Sequence, residues 1–270
     1  MERNHLPGQF ASQSMSIQLT ELDYKSASQR ARVLTESWLA VNALCPACGG
    51  AYVKTPNNTK VLDFNCKSCT RPFELKGSKT KFGKKVVDGA YGSMIASIRE
   101  GRQPNLILMN YRLPFSVLDL FILPRRFIVE PMVVARTPLS KNARRAGWVG
   151  CNLDLEIIPK SALIHCVING APVPQENIQR SWAATEELES IEGAERGWIA
   201  VALGIVDSIG SGFFSIDDIY AYESRASRLF PNNKNVKAKL RQQLQRLRDM
   251  GFIEFHGNGA YALTNKFIGN

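Results

Sequence analysis

The sequence predicts a mixed α/β (α+β) core with an embedded four-cysteine metal site, followed by a small helical unit closed by a β-hairpin. Three observations lead there. Two Cys-x-x-Cys pairs, Cys45/Cys48 and Cys66/Cys69, stand seventeen residues apart in a strand-like, turn-rich stretch. Helix-like and strand-like segments alternate between residues 24 and 168. After an acidic stretch, TEELESIEGAE at 185–195, the pattern changes to helices and a final hairpin.

Taken in order, residues 1–15 are polar, broken by Pro7-Gly8 and without period, and read as a disordered tail; Met15 could be the functional start. At 24–41, Ala31, Leu34, Trp38 and Val41 share one face of an amphipathic helix. Pro56-Asn57-Asn58 marks a turn, and KTKFGKK at 79–85 is a basic loop. Ala90, Met94 and Ile98, spaced by four, predict a helix over 90–99. Buried strands are expected at 105–110, 118–123 and 162–168, and KNARRAGWVG at 141–150 reads as a basic, glycine-containing loop. The acidic stretch lacks a strong apolar stripe and reads as a linker or short surface helix. The expected organisation is therefore a tail over 1–15, a main α/β domain containing the cysteine pairs over 16–185, a linker over 186–196 and a small helical domain over 197–270. In that last domain, helices are expected at 198–209, after Ser215 (an N-cap with Asp218 three residues on) and at 235–250. FIEF and AYAL around His256-Gly257-Asn258-Gly259 complete a hairpin. Three helices and a hairpin form the winged variant of the helix-turn-helix plan.

Composition narrows the function. With 44% hydrophobic residues the chain is no disordered polyanion binder, and its longest apolar stretch, 117–123, is short and interrupted by Asp119. The N-terminus lacks a secretory h-region, so a soluble, cytoplasmic protein with no membrane partner is expected. Thirty-four Lys+Arg against 24 Asp+Glu leave a formal charge of +10, which favours a polyanion such as nucleic acid, although solvated surface charge alone could produce it. Six cysteines are too few for a disulfide scaffold, and their pairing argues for metal in a reducing compartment.

Each Cys-x-x-Cys can aim two thiolates at one ion, so Cys45, Cys48, Cys66 and Cys69 complete a tetrahedral Zn²⁺ site. Four sulfurs leave no open position, making the zinc structural. Cys151 and Cys166 read as core thiols. Around the second pair, Asp63 is followed after ten residues by Glu74-Leu75-Lys76. On paired strands, Glu74 and Lys76 share a face and Asp63 can join them. Two carboxylates and an ammonium on one patch are what Mg²⁺-assisted phosphodiester hydrolysis requires. The spacing is that of the PD-(D/E)xK nuclease motif, with Leu62 in place of its proline; a salt-bridged strand face is the competing reading. Glu36 could add a carboxylate, but an exposed helix face is the simpler expectation.

Two stretches suit DNA. The last helix carries Lys237, Lys239, Arg241 and Arg246 with Gln242, Gln243 and Gln245, outside a buried stripe of Leu240, Leu244 and Leu247. Its cations suit phosphates and its glutamines adenine edges. Lys141, Arg144 and Arg145 precede Trp148, an indole that can contact bases or methyl groups, or anchor its loop to the core.

The stretches YKSASQRARVLTESW, CPAC…FNCKSC, FELK, DGAY, ARRAGWVGCNLDL and KLRQQLQRLRD resemble the methyl-directed (type IIM) restriction endonucleases, from about Thr20 to Leu263. The resemblance implies a PD-(D/E)xK catalytic domain with a zinc site and a winged-helix domain, both reading N6-adenine-methylated GATC in double-stranded DNA. It also implies blunt cleavage after the methylated base. It marks Asp63, Glu74 and Lys76 as catalytic, adds the Leu75 carbonyl to the Mg²⁺ ligands Asp63 and Glu74, and makes Trp148 a methyl sensor. A monomer is expected.

Overall fold

A computed structural model of the chain describes residues 26–56, 62–210 and 212–268. The expected tail, the first residues of the 24–41 helix and most of the Pro56-Asn57-Asn58 turn lie outside them. In chain order the helices and strands begin with α1 (Ala27–Asn42), β1 (Tyr52–Lys54), β2 (Phe64–Cys66), β3 (Pro72–Ser78), β4 (Lys85–Ala90) and α2 (Tyr91–Arg99). There follow β5 (Asn105–Arg112), β6 (Ser116–Leu123), β7 (Val133–Ala135), β8 (Gly150–Asp154), β9 (Ile164–Ile168), β10 (Ala171–Pro172) and α3 (Gln175–Ala183). The chain closes with α4 (Gly193–Ile209), β11 (Phe213–Ser215), α5 (Ile216–Tyr220), α6 (Glu223–Leu229), α7 (Val236–Asp249), β12 (Ile253–Phe255), β13 (Ala260–Leu263) and α8 (Asn265–Ile268).

These elements gather into two compact units that do not follow chain order. Of the described residues, one comprises those up to Lys81 with Pro104–Ile122 and Ile164–Ala183; the other comprises Phe82–Gln103, Leu123–Leu163 and those from Ala184 onward.

The first unit is a seven-stranded sheet, β1-β2-β3-β5-β6-β9-β10. Its middle is the parallel pair β3/β5, with Phe73 opposite Asn105 and Ser78 opposite Asn110. β5 is buried along nearly its whole length, which explains why NLILMN reads as a continuous apolar run. Its polar ends are used: the Asn105 amide donates to the Pro72 carbonyl (2.9 Å) and the Asn110 amide to the Ser78 carbonyl (3.1 Å), pinning β5 to both ends of β3. Helix α1 covers the sheet through Leu34, Thr35 and Leu39. The expected face is thus rotated, since Val41 is 66% exposed. The reason lies at Gly77 on β3, where an added Cβ would stand 3.0 Å from the Thr35 methyl; the missing side chain lets α1 approach there. Helix α3, whose Ile178 and Trp182 are buried, packs on β9 and carries too few apolar residues to be legible beforehand.

In the second unit α2 buries Met94 and Ile98 as expected, beside the sheet β4-β8-β7. α4 is buried along most of its length, and its Gly204 faces the Ile157 carbonyl so closely that a Cβ would meet it at 2.2 Å. The acidic 185–195 stretch forms a short 3-10 helix over Glu186–Ser190 with Leu188 buried. Its charge has a structural use: fully buried Arg126 donates to the Thr185 hydroxyl (2.9 Å) and, with Arg125, faces Glu189. Ser215 and Asp218 form the expected capping box at α5. α6 and the edge strand β11 come in addition to the expected elements, giving a three-stranded sheet β11-β13-β12 beneath the helices.

Candidate functional site

The four cysteines sit on two turns of the first unit. Gly49 N donates to Cys45 O and Thr70 N to Cys66 O, and both donors adopt positive φ (72° and 59°), the left-handed geometry that curls each Cys-x-x-Cys back on itself. At Gly50 an added Cβ would stand 2.9 Å from the Cys66 sulfur, so only glycine lets the two turns meet. The sulfurs then lie within 4.8 Å of one another, with Cys45 and Cys69 3.7 Å apart and Cys48 and Cys66 3.4 Å apart. Burial pushes the Cys69 thiol up, but hydrogen bonds from the Arg71 backbone and side chain and from the neighbouring thiols outweigh it and hold it at about 7. Burial dominates at Cys45 and raises its thiol well above the ordinary range. Four converging soft ligands, one already inclined to ionise, form a cluster that can hold zinc. Cys151 and Cys166 are buried and are not among the four clustered thiols, as expected of core thiols.

The carboxylate cluster is also in the first unit. β2 and β3 pair antiparallel with Phe64 opposite Phe73, and Asp63 follows from that register. Its N–H donates to the Phe73 carbonyl (3.1 Å), and its carboxylate accepts the Leu75 N–H at Oδ2 (2.9 Å). Asp63 is thereby locked beside Glu74. Lys76, two residues on along β3, forms an ion pair with Glu74. Asp63, Glu74 and Leu75 line a cleft of about 550 Å³ whose opposite wall is α1, with Ser28, Arg32 and Glu36.

Glu36 corrects an expectation. It lies on no exposed face: its side chain is 5% exposed, and it is held by Arg32 Nε (2.5 Å) and Lys54 Nζ (2.5 Å). Arg32 Nη2 also reaches Asp63 Oδ1 at 3.3 Å. The hydrogen bond to Glu36 raises the Arg32 guanidinium further above its ordinary range. The signal that could have placed Glu36 in the cleft is its spacing of four from Arg32 and of eight from Ser28, read together with Gly77. Its buried carboxylate adds a third hard oxygen group to the same cleft.

The residues expected to meet DNA all fall in the second unit. Lys141, Arg144 and Arg145 are exposed on the segment joining β7 to β8. That segment folds on itself through Leu139 N to Trp148 O (2.9 Å) and Gly147 N to Leu139 O (3.0 Å). Trp148 is half-buried against Gly150, with the Arg145 guanidinium 4.6 Å from its ring centroid. On α7, Lys237, Arg241, Gln242 and Gln245 are exposed, while Lys239 and Arg246 are half-buried. Arg246 is tied to Glu195 (2.7 Å), and Lys237 reaches Glu223 (3.5 Å). Gln243 departs from expectation. It falls within the arc of Val236, Leu240, Leu244 and Leu247, is fully buried, and neither atom of its amide has a hydrogen-bond partner among the described residues. It cannot read a base from there.

A mixed α+β sheet unit whose thiol cluster can hold a metal and whose cleft is lined by carboxylates, in one chain with a unit of helices around a small three-stranded sheet, is the architecture of a metal-dependent DNA-binding class of protein. The chain belongs to the family described as DpnI: Dam-replacing family, whose model matches residues 13–191, and the Dam-replacing HTH domain matches residues 194–263. That membership supports a methylation-dependent restriction endonuclease with a helix-turn-helix DNA-binding domain. No helix among the described residues is long and apolar enough to cross a membrane.

Proposed function

We propose that this chain is a Mg²⁺-dependent type II endonuclease that cuts double-stranded DNA at GATC sites carrying N6-methyladenine, leaving blunt ends with 5′-phosphates. The observation that carries the reading is one cleft lined by Asp63 and Glu74, with Lys76 on Glu74, in a chain of this family. The donor set suits a hard divalent cation: Asp63 and Glu74 would hold it with the Leu75 carbonyl. When bound, Mg²⁺ supplies Lewis-acid polarisation of the scissile phosphate and a more acidic water. The chain's own residues do the rest. The Leu75 N–H fixes the Asp63 carboxylate, Glu74 positions the Lys76 ammonium, and that ammonium stabilises the charge developing on the phosphate.

Methyl reading is assigned to Trp148 on the basic loop and to the polar face of α7 (Lys237, Lys239, Arg241, Gln242, Gln245, Arg246), with Lys141, Arg144 and Arg145 on phosphates. Burying one methyl is worth only about 0.8 kcal/mol, which favours two reading elements over one. The reading also includes structural zinc on Cys45, Cys48, Cys66 and Cys69, a domain boundary at 186–196, a monomer, and action in the cytoplasm of a bacterial or archaeal cell. The narrow gap between the two matched family stretches supports that boundary.

A second reading, a zinc-containing winged-helix regulator without catalysis, is favoured by one observation: each cleft carboxylate already faces a cation. Digestion of one plasmid with Mg²⁺ separates the two. The forms compared are methylated at GATC adenines, unmethylated, hemimethylated, and methylated with EDTA. Discrete fragments from the methylated form, fewer from the hemimethylated and none from the others are expected. Cutting of every Mg²⁺-containing form would discard the methyl specificity, and binding without cutting would put the regulator first.

A further inference from the structure

Arg32 stands out in the cleft because a single guanidinium spans two carboxylates on separate elements. It lies one helical turn before Glu36 on α1, with Nε 2.5 Å from Glu36 and Nη2 3.3 Å from Asp63. Glu36 does not depend on it, since Lys54 holds the other oxygen at 2.5 Å. Across the cleft, Lys76 faces Glu74. Among the described residues, the three carboxylates Asp63, Glu36 and Glu74 therefore each face a side-chain cation: Arg32, Lys54 or Lys76. A divalent cation entering such a site competes with a resident one.

Arg32 is the cation suited to give way. Its side chain is 61% exposed, against 22% for Lys76, and its contact with Asp63, at 3.3 Å, is longer than either contact to Glu36, at 2.5 Å. Swinging into water therefore gives up only part-exposed ion pairs while the guanidinium regains hydration, and Lys54 keeps the buried Glu36 compensated. A guanidinium released at the mouth of this cleft presents a planar fork whose geometry matches a phosphate.

Resting on the proposed reading of the cleft as a divalent-metal site, we infer that Arg32 is an exchangeable counter-cation coupling metal binding to DNA binding. It occupies Asp63 and Glu36 in the free protein and holds metal affinity low. When a DNA phosphate takes the guanidinium, the carboxylates are released to the metal. By linkage, metal then tightens DNA by the same factor. Arg32 thus acts on the metal through the carboxylates and on DNA through its own contact with a phosphate.

The test is calorimetric titration of Ca²⁺ into the zinc-loaded full chain, with and without a methylated duplex, for the wild type, Arg32→Gln and Arg32→Lys. Ca²⁺ is chosen because it prefers oxygen ligands and leaves the thiols alone. Without DNA, Arg32→Gln is expected to bind Ca²⁺ roughly three- to tenfold tighter than the wild type, the size of effect a part-exposed charge-assisted pair can exert. It should also gain little from added duplex, whereas the wild type tightens severalfold. Arg32→Lys, which keeps the charge, should lie between the two. Equal or weaker Ca²⁺ binding by Arg32→Gln, or undiminished coupling to DNA, would overturn the exchange while leaving the metal site standing. A wild type that takes no Ca²⁺ even with DNA would overturn the metal reading itself and the exchange with it.

Discussion

The two units place their functional side chains in opposite settings. In the first, the chemistry faces inward: Glu36 is almost wholly buried, Asp63 is fixed by a backbone N–H, and four thiols close on one another between two turns. In the second, Lys141, Arg144, Arg145, Lys237 and Arg241 point to solvent from a folded-back loop and one face of a helix. A site that must hold a metal needs converging ligands at fixed distances, which sheet register and glycine-enabled approach provide. A surface that meets a long polyanion needs only a display of cations, which helical period alone can arrange. The first kind of site is sensitive to small geometric change, the second to loss of charge.

The largest effect should come from testing whether chemistry belongs to the first unit alone. Lys76→Ala is expected to lower cleavage by at least roughly 10²- to 10³-fold, the loss typical of removing one electrostatic stabiliser, while leaving duplex binding close to wild type. Parallel loss of cleavage and of binding in a gel-shift assay would break the division of labour.

Removing the thiol brace comes next. Cys66→Ser should cost several kcal/mol, because structural zinc contributes its binding energy to folding. Calorimetry should show a first transition moved to much lower temperature, and metal analysis should show less than one zinc per chain. An unchanged melting profile would deny the cluster its structural role.

The second unit has its own weak point at Gly204, where a methyl group would meet the Ile157 carbonyl at 2.2 Å. Gly204→Ala is expected to destabilise by about 1–3 kcal/mol through overpacking, visible as a lower melting temperature with zinc content unchanged. A gain in stability, as helix propensity alone would give, would show that the contact relaxes freely.

The smallest effect sharpens the comparison. Gln243 belongs by burial to the core of the second unit and not to its display. Gln243→Leu removes an unsatisfied buried amide and should raise stability by about 1 kcal/mol with DNA affinity unchanged. Weakened binding in a titration would return Gln243 to the reading surface.

Some of this molecule is legible in its sequence. The Cys-x-x-Cys pairs announce their cluster because two residues of separation bring thiols onto one turn wherever the chain goes. The apolar run of β5, the leucine stripe of α7 and the Ser215–Asp218 capping box are equally local, set by periods of 2 and 3.6 or by hydrogen bonds three residues apart. The convergence of Asp63 with Glu74 needed one further step, a strand register, and alternation of apolar residues was enough to suggest it.

What only the tertiary structure decided are the contacts between segments with no common period. Gly77 lets α1 approach β3, and that approach, not any pattern in α1, puts Arg32 and Glu36 into the cleft and leaves Val41 in water. The buried Arg126 draws the acidic 186–190 stretch into structure, although its composition alone resembles a solvated linker. The grouping of residues 82–103 and 123–163 with the C-terminal helices, against chain order, is likewise invisible in composition. Local sequence determines which face of an element is apolar. Which polar residues that face carries inward depends on what arrives opposite it, and here that was a glycine and an arginine distant in the chain.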